Sequence, residues 1–164
     1  MQFANVIAHE AEKKHLIRTV KENRISHAQM FLGPAGSGSL PLAIAYAQYI
    51  LCQNKQENDS CGACVSCTKI QKHNHPDLHF SFPVHLSKEK HVYKSDNVIA
   101  DWREILDENP YFGIDDWNLK LGNENKQGII GKDESQNIIS KISLKSFEGG
   151  YKILIMWLPE LMNG

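Results

Sequence analysis

Four cysteines, Cys52, Cys61, Cys64 and Cys67, are spaced C-x8-C-x2-C-x2-C, and the chain has no others. Four thiolates complete a tetrahedral shell around Zn²⁺, and each C-x2-C step lets one tight turn supply two neighbouring corners. Gly62, beside Cys61, gives the backbone the freedom such a turn needs. The intervening segment Gln53 to Ser60 is polar throughout and reads as a solvent loop. It has no apolar side chain to order it, whereas structural zinc contributes on the order of 10 kcal/mol in finger peptides. With four protein ligands the shell is closed, so the ion is expected to be structural rather than catalytic. Two disulfides, an iron–sulfur cluster or four idle thiols are the competing readings. His73 and His75 come soon after, but the thiolates already fill the shell, so both read as loop residues.

A second pattern precedes the cysteines. Gly33-Pro34-Ala35-Gly36-Ser37-Gly38-Ser39-Leu40 keeps the glycine spacing of a phosphate-binding loop, G-x-x-x-x-G-K-[ST]. In a working loop, backbone N–H groups cradle the phosphates, the Lys neutralises them and the Ser or Thr hydroxyl holds Mg²⁺. Ser39 stands in the lysine place and Leu40 in the hydroxyl place. The cradle of Gly33, Gly36, Gly38 and Ser39 could persist and bind nucleotide weakly or not at all. The cation and the metal ligand could not persist. An ordinary Gly-rich turn is the alternative.

The elements expected to position this loop are legible around it. Ala28 to Leu32 is a short apolar-leaning run, expected as a buried strand. Leu40, Ile44, Ala45, Ala47, Tyr49, Ile50 and Leu51 keep a helical period. At the other end, Tyr151 to Glu160 is nearly continuous in apolar residues, as expected for a central strand buried on both faces. In phosphate-loop ATPases such a strand ends in Asp-Glu, which orders the magnesium and polarises the attacking water. Trp157 and Leu158 occupy those places, and neither indole nor isobutyl can hold magnesium.

The chain has 164 residues, 41% of them hydrophobic, and a net charge of −1. That is one domain's worth of chain, and it is not a basic nucleic-acid coat. Met1 to Ile7 leads into charged residues without the apolar core of a signal peptide, and no apolar run reaches membrane-spanning length. A cytoplasmic location, with reduced thiols, is the expectation.

Several stretches together resemble the N-terminal part of the delta-prime subunits of the bacterial DNA polymerase III clamp loader, members of the AAA+ superfamily. They are Phe3 to Ile7, Lys14 and Leu16, Ile25-Ser26-His27-Ala28, the glycine loop, the four cysteines, and His75-Pro76-Asp77 leading into an expected strand at Leu78 to Val84. Phe147-Glu148-Gly149-Gly150-Tyr151-Lys152, the terminal strand and Met162-Asn163 complete the set. The resemblance covers roughly residues 1–84 and 129–164. It implies an α/β fold: a partial AAA+, phosphate-loop NTPase-like domain over 1–164, with a parallel sheet flanked by helices and a zinc module inserted at 52–67. Gamma/tau subunits share the cysteines but resemble working ATPases. The losses at Ser39, Leu40, Trp157 and Leu158 favour delta-prime.

Residues 85–128 depart from the family pattern and read as an insertion. Within it, Ser95 or Asp96 could cap a helix whose stripe is Val98, Ile99, Trp102, Ile105 and Leu106, ending before Pro110. Trp117, Leu119 and Leu121 alternate, a weak strand signal. Asp133 to Ser143 reads as a capped helix with Ile138, Ile139 and Ile142 inward.

The resemblance implies a subunit that hydrolyses no ATP, has no working ATP/Mg²⁺ site and helps load the sliding clamp onto primed DNA. Its partners would be gamma/tau-like and delta-like subunits, with the clamp and primer-template DNA reached through the complex. It also implies that the arginine finger and later domains lie beyond residue 164. In the AAA+ strand order 5-1-4-3-2, strand 1 would then lack its neighbours 4 and 5, and the fragment is expected to associate with itself or rearrange. An active gamma/tau-type ATPase and a zinc-module nucleic-acid binder are the alternatives. The second is weakly supported, with only Lys55, Lys69 and Lys72 around the cysteines.

Overall fold

The computed structural model describes residues 1–122, 126–148 and 150–162. Asn123, Glu124, Asn125, Gly149, Asn163 and Gly164 lie outside the described residues, and with them parts of the insertion, the Gly149-Gly150 pair and the Met162-Asn163 pair. The chain forms two compact units, Met1–His75 and Pro76–Gly164.

The first unit is helical. After a 3-10 turn at Phe3–Asn5 comes α1 (Glu10–Lys21), with Glu10 and Glu12 in its first turn and Arg18 and Lys21 in its last, the arrangement the helix dipole favours. Its inward face carries Lys13, Leu16 and Ile17. α2 (Ser39–Leu51) is buried nearly all round, from Leu40 to Ile50, and is the core of the unit. Thr19 Oγ1 and Tyr46 OH share a hydrogen bond of 2.9 Å between the two helices, and Phe3 rests on Tyr49 at 5.8 Å. α3 (Val65–Gln71) begins at Cys64, whose sulfur caps it by accepting from Cys67 N–H.

The expected strand at Ala28 to Leu32 does not form. No ladder partner pairs with it among the described residues, so Met30 and Leu32 stay 75% and 85% exposed. An extended segment without neighbours cannot satisfy its backbone groups internally, and its apolar side chains then have no layer to enter.

In the second unit β1 (Leu78–Ser81) and β2 (Ile153–Met156) pair in parallel, Leu78 opposite Ile153 and Ser81 opposite Met156. Both are shorter than expected. Val84 instead makes an isolated antiparallel bridge with Ile129. β2 has β1 as its only strand neighbour among the described residues, so Ile155 alone is buried and the doubly covered strand is not realised. Between the strands lie α4 (Ile99–Glu108), α5 (Ile114–Lys120) and α6 (Lys132–Ser143). Helices around a small parallel sheet fit the expected α/β, AAA+-like class.

Residues 85–122 pack on their own unit. Trp102 stacks on Phe82 at 4.0 Å and meets Trp117 and Phe112 edge-on at 5.3 Å each. Trp157 closes the cluster at 5.4 Å from Trp102 and 5.0 Å from Phe112. Trp102, Ile105 and Leu106 are buried as the stripe required. Neither Ser95 nor Asp96 caps the helix start. Asn97 Oδ1 takes the N–H groups of Tyr93 and Lys94, while Ser95 N and Oγ donate to the buried Glu134 at 2.8 and 2.7 Å. Trp117 and Leu119 belong to α5 and Leu121 lies just past its end, not in a strand: Asp116 in the first turn accepts Gly113 N–H at 2.8 Å, which starts a helix.

α6 forms as expected, but its orientation is not set by its isoleucines. Glu134, Asn137 and Lys141, spaced i, i+3, i+7, face Ser95 and Asp96, with Lys141 ion-paired to Asp96. That polar anchorage leaves Ile139 and Ile142 65% and 51% exposed. Among the described residues no helix is long and apolar enough to cross a membrane.

Asp77, buried at the start of β1, accepts Phe147 N–H at 2.7 Å and Glu148 N–H at 2.9 Å, and so fixes the entry to β2. Asp77→Ala leaves two backbone donors unpaired and is expected to cost about 2–4 kcal/mol, read as a lowered urea midpoint, with Asp77→Asn losing less.

Candidate metal centre and glycine loop

The chain folds so that four sulfur atoms converge. Sγ of Cys52 lies 3.6 Å from Cys61 Sγ and 4.0 Å from Cys64 Sγ, Cys61 and Cys67 are 3.9 Å apart, and all four lie within 4.8 Å of one another. Zn–S bonds of ~2.3 Å in tetrahedral array place sulfurs ~3.8 Å apart, close to what is observed. A disulfide needs ~2.05 Å, and all four cysteines are free. The donor set therefore fits a single metal ion and not two bridges.

Backbone geometry prepares the sulfurs for negative charge. Cys61 N–H donates to Cys52 Sγ at 3.3 Å, Cys64 N–H to Cys61 Sγ at 3.3 Å and Cys67 N–H to Cys64 Sγ at 3.4 Å. The thiols divide accordingly. At Cys64 burial pushes upward, but donation from the Cys67 and Gln53 backbones and the neighbouring sulfurs brings the pKa down to about 6. Cys61 is lowered by the N–H groups of Ala63 and Cys64. Burial raises Cys52, and burial with the Cys64 and Cys52 sulfurs beside it raises Cys67 strongly. Two acidic and two basic thiols in one cluster is the mixture a cation would even out.

Gly62 adopts φ +70, and a Cβ there would lie 2.8 Å from Gln2 Oε1, so the turn between Cys61 and Cys64 requires glycine. His73 and His75 stay outside the sulfur cluster. His75 Nε2 shares a 2.8 Å hydrogen bond with Ser66 Oγ and so braces α3 from behind. The segment before Cys61 is only partly a solvent loop. Ser60 is buried and takes Gln48 Nε2 on its hydroxyl at 2.9 Å. Asp59 collects N–H groups from Phe3, Ala4 and Ser60. Neither role is legible in the polar composition, because both depend on residues more than ten positions away. The one local signal is an acidic residue just before the knuckle.

The glycine loop is built as a tight turn. Gly36 and Gly38 have φ 75 and 95, Ser37 N–H donates to Pro34 O at 3.0 Å, and a Cβ at Gly33 would collide with Ser37 Oγ. The Ser37 carbonyl accepts from His9 Nε2 at 2.6 Å. Ser39 opens α2 and lines a cleft of about 580 Å³ with His9, Glu12, Ser26 and Gln29, and among the described residues no Lys or Arg lines it. Leu40 is buried in the helix core, where a hydroxyl would be turned from solvent. In the second unit Trp157 belongs to the aromatic cluster, and Leu158 comes next in a left-handed conformation at φ 56.

The cluster geometry sets two expected outcomes. In metal-free protein at neutral pH, alkylation should reach Cys64 first and Cys67 last, read by peptide mass mapping. Gly62→Ala should reduce metal retention against a competing chelator at least about tenfold, since the strained turn no longer presents adjacent sulfurs.

Comparison with known proteins gives one family. A family model described as "DNA polymerase III, delta subunit" matches residues 8–164. The DNA polymerase III subunit delta' of Bacillus subtilis is 36% identical over 77 residues, 47% of this chain and 23% of that protein. The delta' subunit of Escherichia coli K12 is 34% identical over 68 residues, 42% of this chain and 20% of that protein. The tau/gamma subunit of Haemophilus influenzae is 29% identical over 109 residues, 66% of this chain and 14% of that protein. The chain thus spans a quarter or less of the length of these curated relatives. With a match that runs through both units from residue 8 onward, the chain belongs to the family described as DNA polymerase III, delta subunit.

Proposed function

We propose that the protein is a delta-prime-like, non-hydrolysing subunit of a DNA polymerase III clamp loader, working in the cytoplasm. The observation that carries this reading is the chemistry at the glycine loop: Ser39 supplies no charge, Leu40 is buried and apolar, and among the described residues the adjoining cleft is lined by no lysine or arginine. A triphosphate held there would lack both its cation and its magnesium ligand. Trp157, packed against Trp102 and Phe112, supports the same reading, since an aromatic ring in a packed cluster is no ligand for magnesium. Gly33, Gly36, Gly38 and Ser39 then form a vestigial cradle with weak or no nucleotide affinity.

We read the four thiols as a structural zinc site, Cys52, Cys61, Cys64 and Cys67 all serving as ligands. Zinc there would supply the positive charge that lets four close sulfurs ionise together, and it would fix the turn at Gly62. The partners would be gamma/tau-like and delta-like subunits, with the sliding clamp and primer-template DNA engaged through the assembly. The tau/gamma relative covers the largest share of this chain among those compared, which keeps a gamma/tau-type ATPase as the second reading. Residues 52–67 would be a module within the first unit and 85–128 an insertion, of which Trp102, Phe112 and Trp117 join the aromatic cluster of the second.

Two measurements on the full-length protein test this. Purified protein should contain about one zinc per chain, and well under that, with thiols intact, would refute the metal assignment. It should co-purify with candidate clamp-loader subunits while hydrolysing no ATP alone. Turnover that is lost on altering Ser39 would favour the gamma/tau reading.

A further inference from the structure

The first seven residues form a strap anchored both in the segment before Cys61 and, through Lys13, in α1. The 3-10 turn Phe3–Asn5 is held from the segment between Cys52 and Cys61. Asp59 Oδ1 accepts Phe3 N–H at 3.1 Å and Ser60 N–H at 2.7 Å, and Oδ2 accepts Ala4 N–H at 2.9 Å. Gln2 Nε2 donates to Ser60 O at 2.7 Å, while its Oε1 lies where a Cβ on Gly62 would intrude. Every one of these contacts falls within two residues of Cys61. Without the knuckle, residues 53–60 have no apolar side chain to order them, and the carboxylate would have no fixed position.

The strap in turn is tied to α1 and the glycine loop. Val6 O accepts from the buried Lys13 Nζ at 2.7 Å, and Lys13 N–H donates to His9 O at 2.9 Å. His9, held in a left-handed conformation at the start of α1, donates from Nε2 to the Ser37 carbonyl inside the glycine loop at 2.6 Å. A continuous chain of hydrogen bonds therefore runs from the cysteine knuckle through Asp59 and the strap to the glycine loop.

From this we infer that Asp59 is a clasp: it couples metal at the four cysteines to the order of the N-terminal strap and, through Lys13 and His9, to the closed form of the glycine loop. Loss of the metal by chelation frees residues 2–7 before it disturbs the buried α2. The coupling gives the metal a role beyond its own turn, since it governs the shape of the loop from Gly33 to Gly38, on the far side of α2 from Cys52. The inference rests on the zinc reading above and adds to it a specific residue and a specific route.

The test is amide hydrogen exchange on the intact protein, zinc-loaded and zinc-stripped under reducing conditions, with zinc content measured on each sample. Peptides covering residues 1–16, 33–38 and 40–51 report the strap, the loop and α2. Stripping is expected to speed exchange in the strap about tenfold or more, the size of effect that losing hydrogen bonds to a charged acceptor produces, with a smaller increase in the loop and little change in α2. Asp59→Ala should reproduce the strap effect while keeping about one zinc per chain, and Asp59→Asn, which retains one acceptor oxygen, should fall between. A zinc-retaining Asp59→Ala with a fully protected strap overturns the clasp. A stripped wild type whose strap is unchanged overturns the coupling and leaves the zinc reading standing. Wild-type protein that never holds zinc yet keeps a protected strap ends both.

Discussion

Four sulfur atoms within 4.8 Å of one another form an arrangement that a polypeptide does not adopt for its packing. Neutral thiols gain little from the proximity, and ionised thiols repel at that range. Burial raises the Cys67 thiol while hydrogen-bond donation from the Cys67 and Gln53 backbones lowers Cys64. A dication held by the four sulfurs would remove the conflict, and several neighbouring features are built around the cluster. α3 begins on a cysteine sulfur, the turn at Gly62 is left-handed, Ser60 is buried against Gln48, and the N-terminal turn is tied to Asp59. The knuckle is thus the local fixed point about which the strap and α3 are arranged, and α2 is the hydrophobic one.

The second unit is governed differently. Its two-stranded sheet is too small to make a core alone. The apolar mass comes instead from Phe82, Trp102, Phe112 and Trp117, three of which lie between the two strands in α4, α5 and the turn joining them. Trp157, at the end of β2, is drawn into the same cluster. An acid at this position would sit against the Trp102 and Phe112 rings, so packing favours the indole there. The segment between the strands and the end of β2 therefore share one aromatic cluster.

What the sequence revealed depended on how local the controlling interaction was. The cysteine knuckle, the long buried α2 and the stripe of Trp102, Ile105 and Leu106 are legible, because spacing within a few turns decides them. The strand expected at Ala28 to Leu32 fails because a strand exists only with neighbours, and the described residues supply none. The inward face of α6 escapes the helical period because Glu134, Asn137 and Lys141 find polar partners in Ser95 and Asp96, which no periodicity can announce. Trp117, Leu119 and Leu121 alternate by chance, and the pair Asp115 and Asp116 after Gly113 is the stronger signal for a helix. Asp59 is hidden for the same reason as Glu134: its partners are distant in the chain.

All three tryptophans of the chain, Trp102, Trp117 and Trp157, stand in the second unit, packed edge-on or tilted within one cluster. Indole emission is therefore an optical label for that half of the molecule alone. The unit that holds the sulfur knuckle contains tyrosines such as Tyr49 and no tryptophan. A denaturation curve recorded by tryptophan fluorescence would follow the aromatic cluster, whereas charge-transfer absorption of cobalt substituted into the knuckle would follow the cysteines. Recorded together, the two signals would resolve whether the halves melt as one body or in sequence.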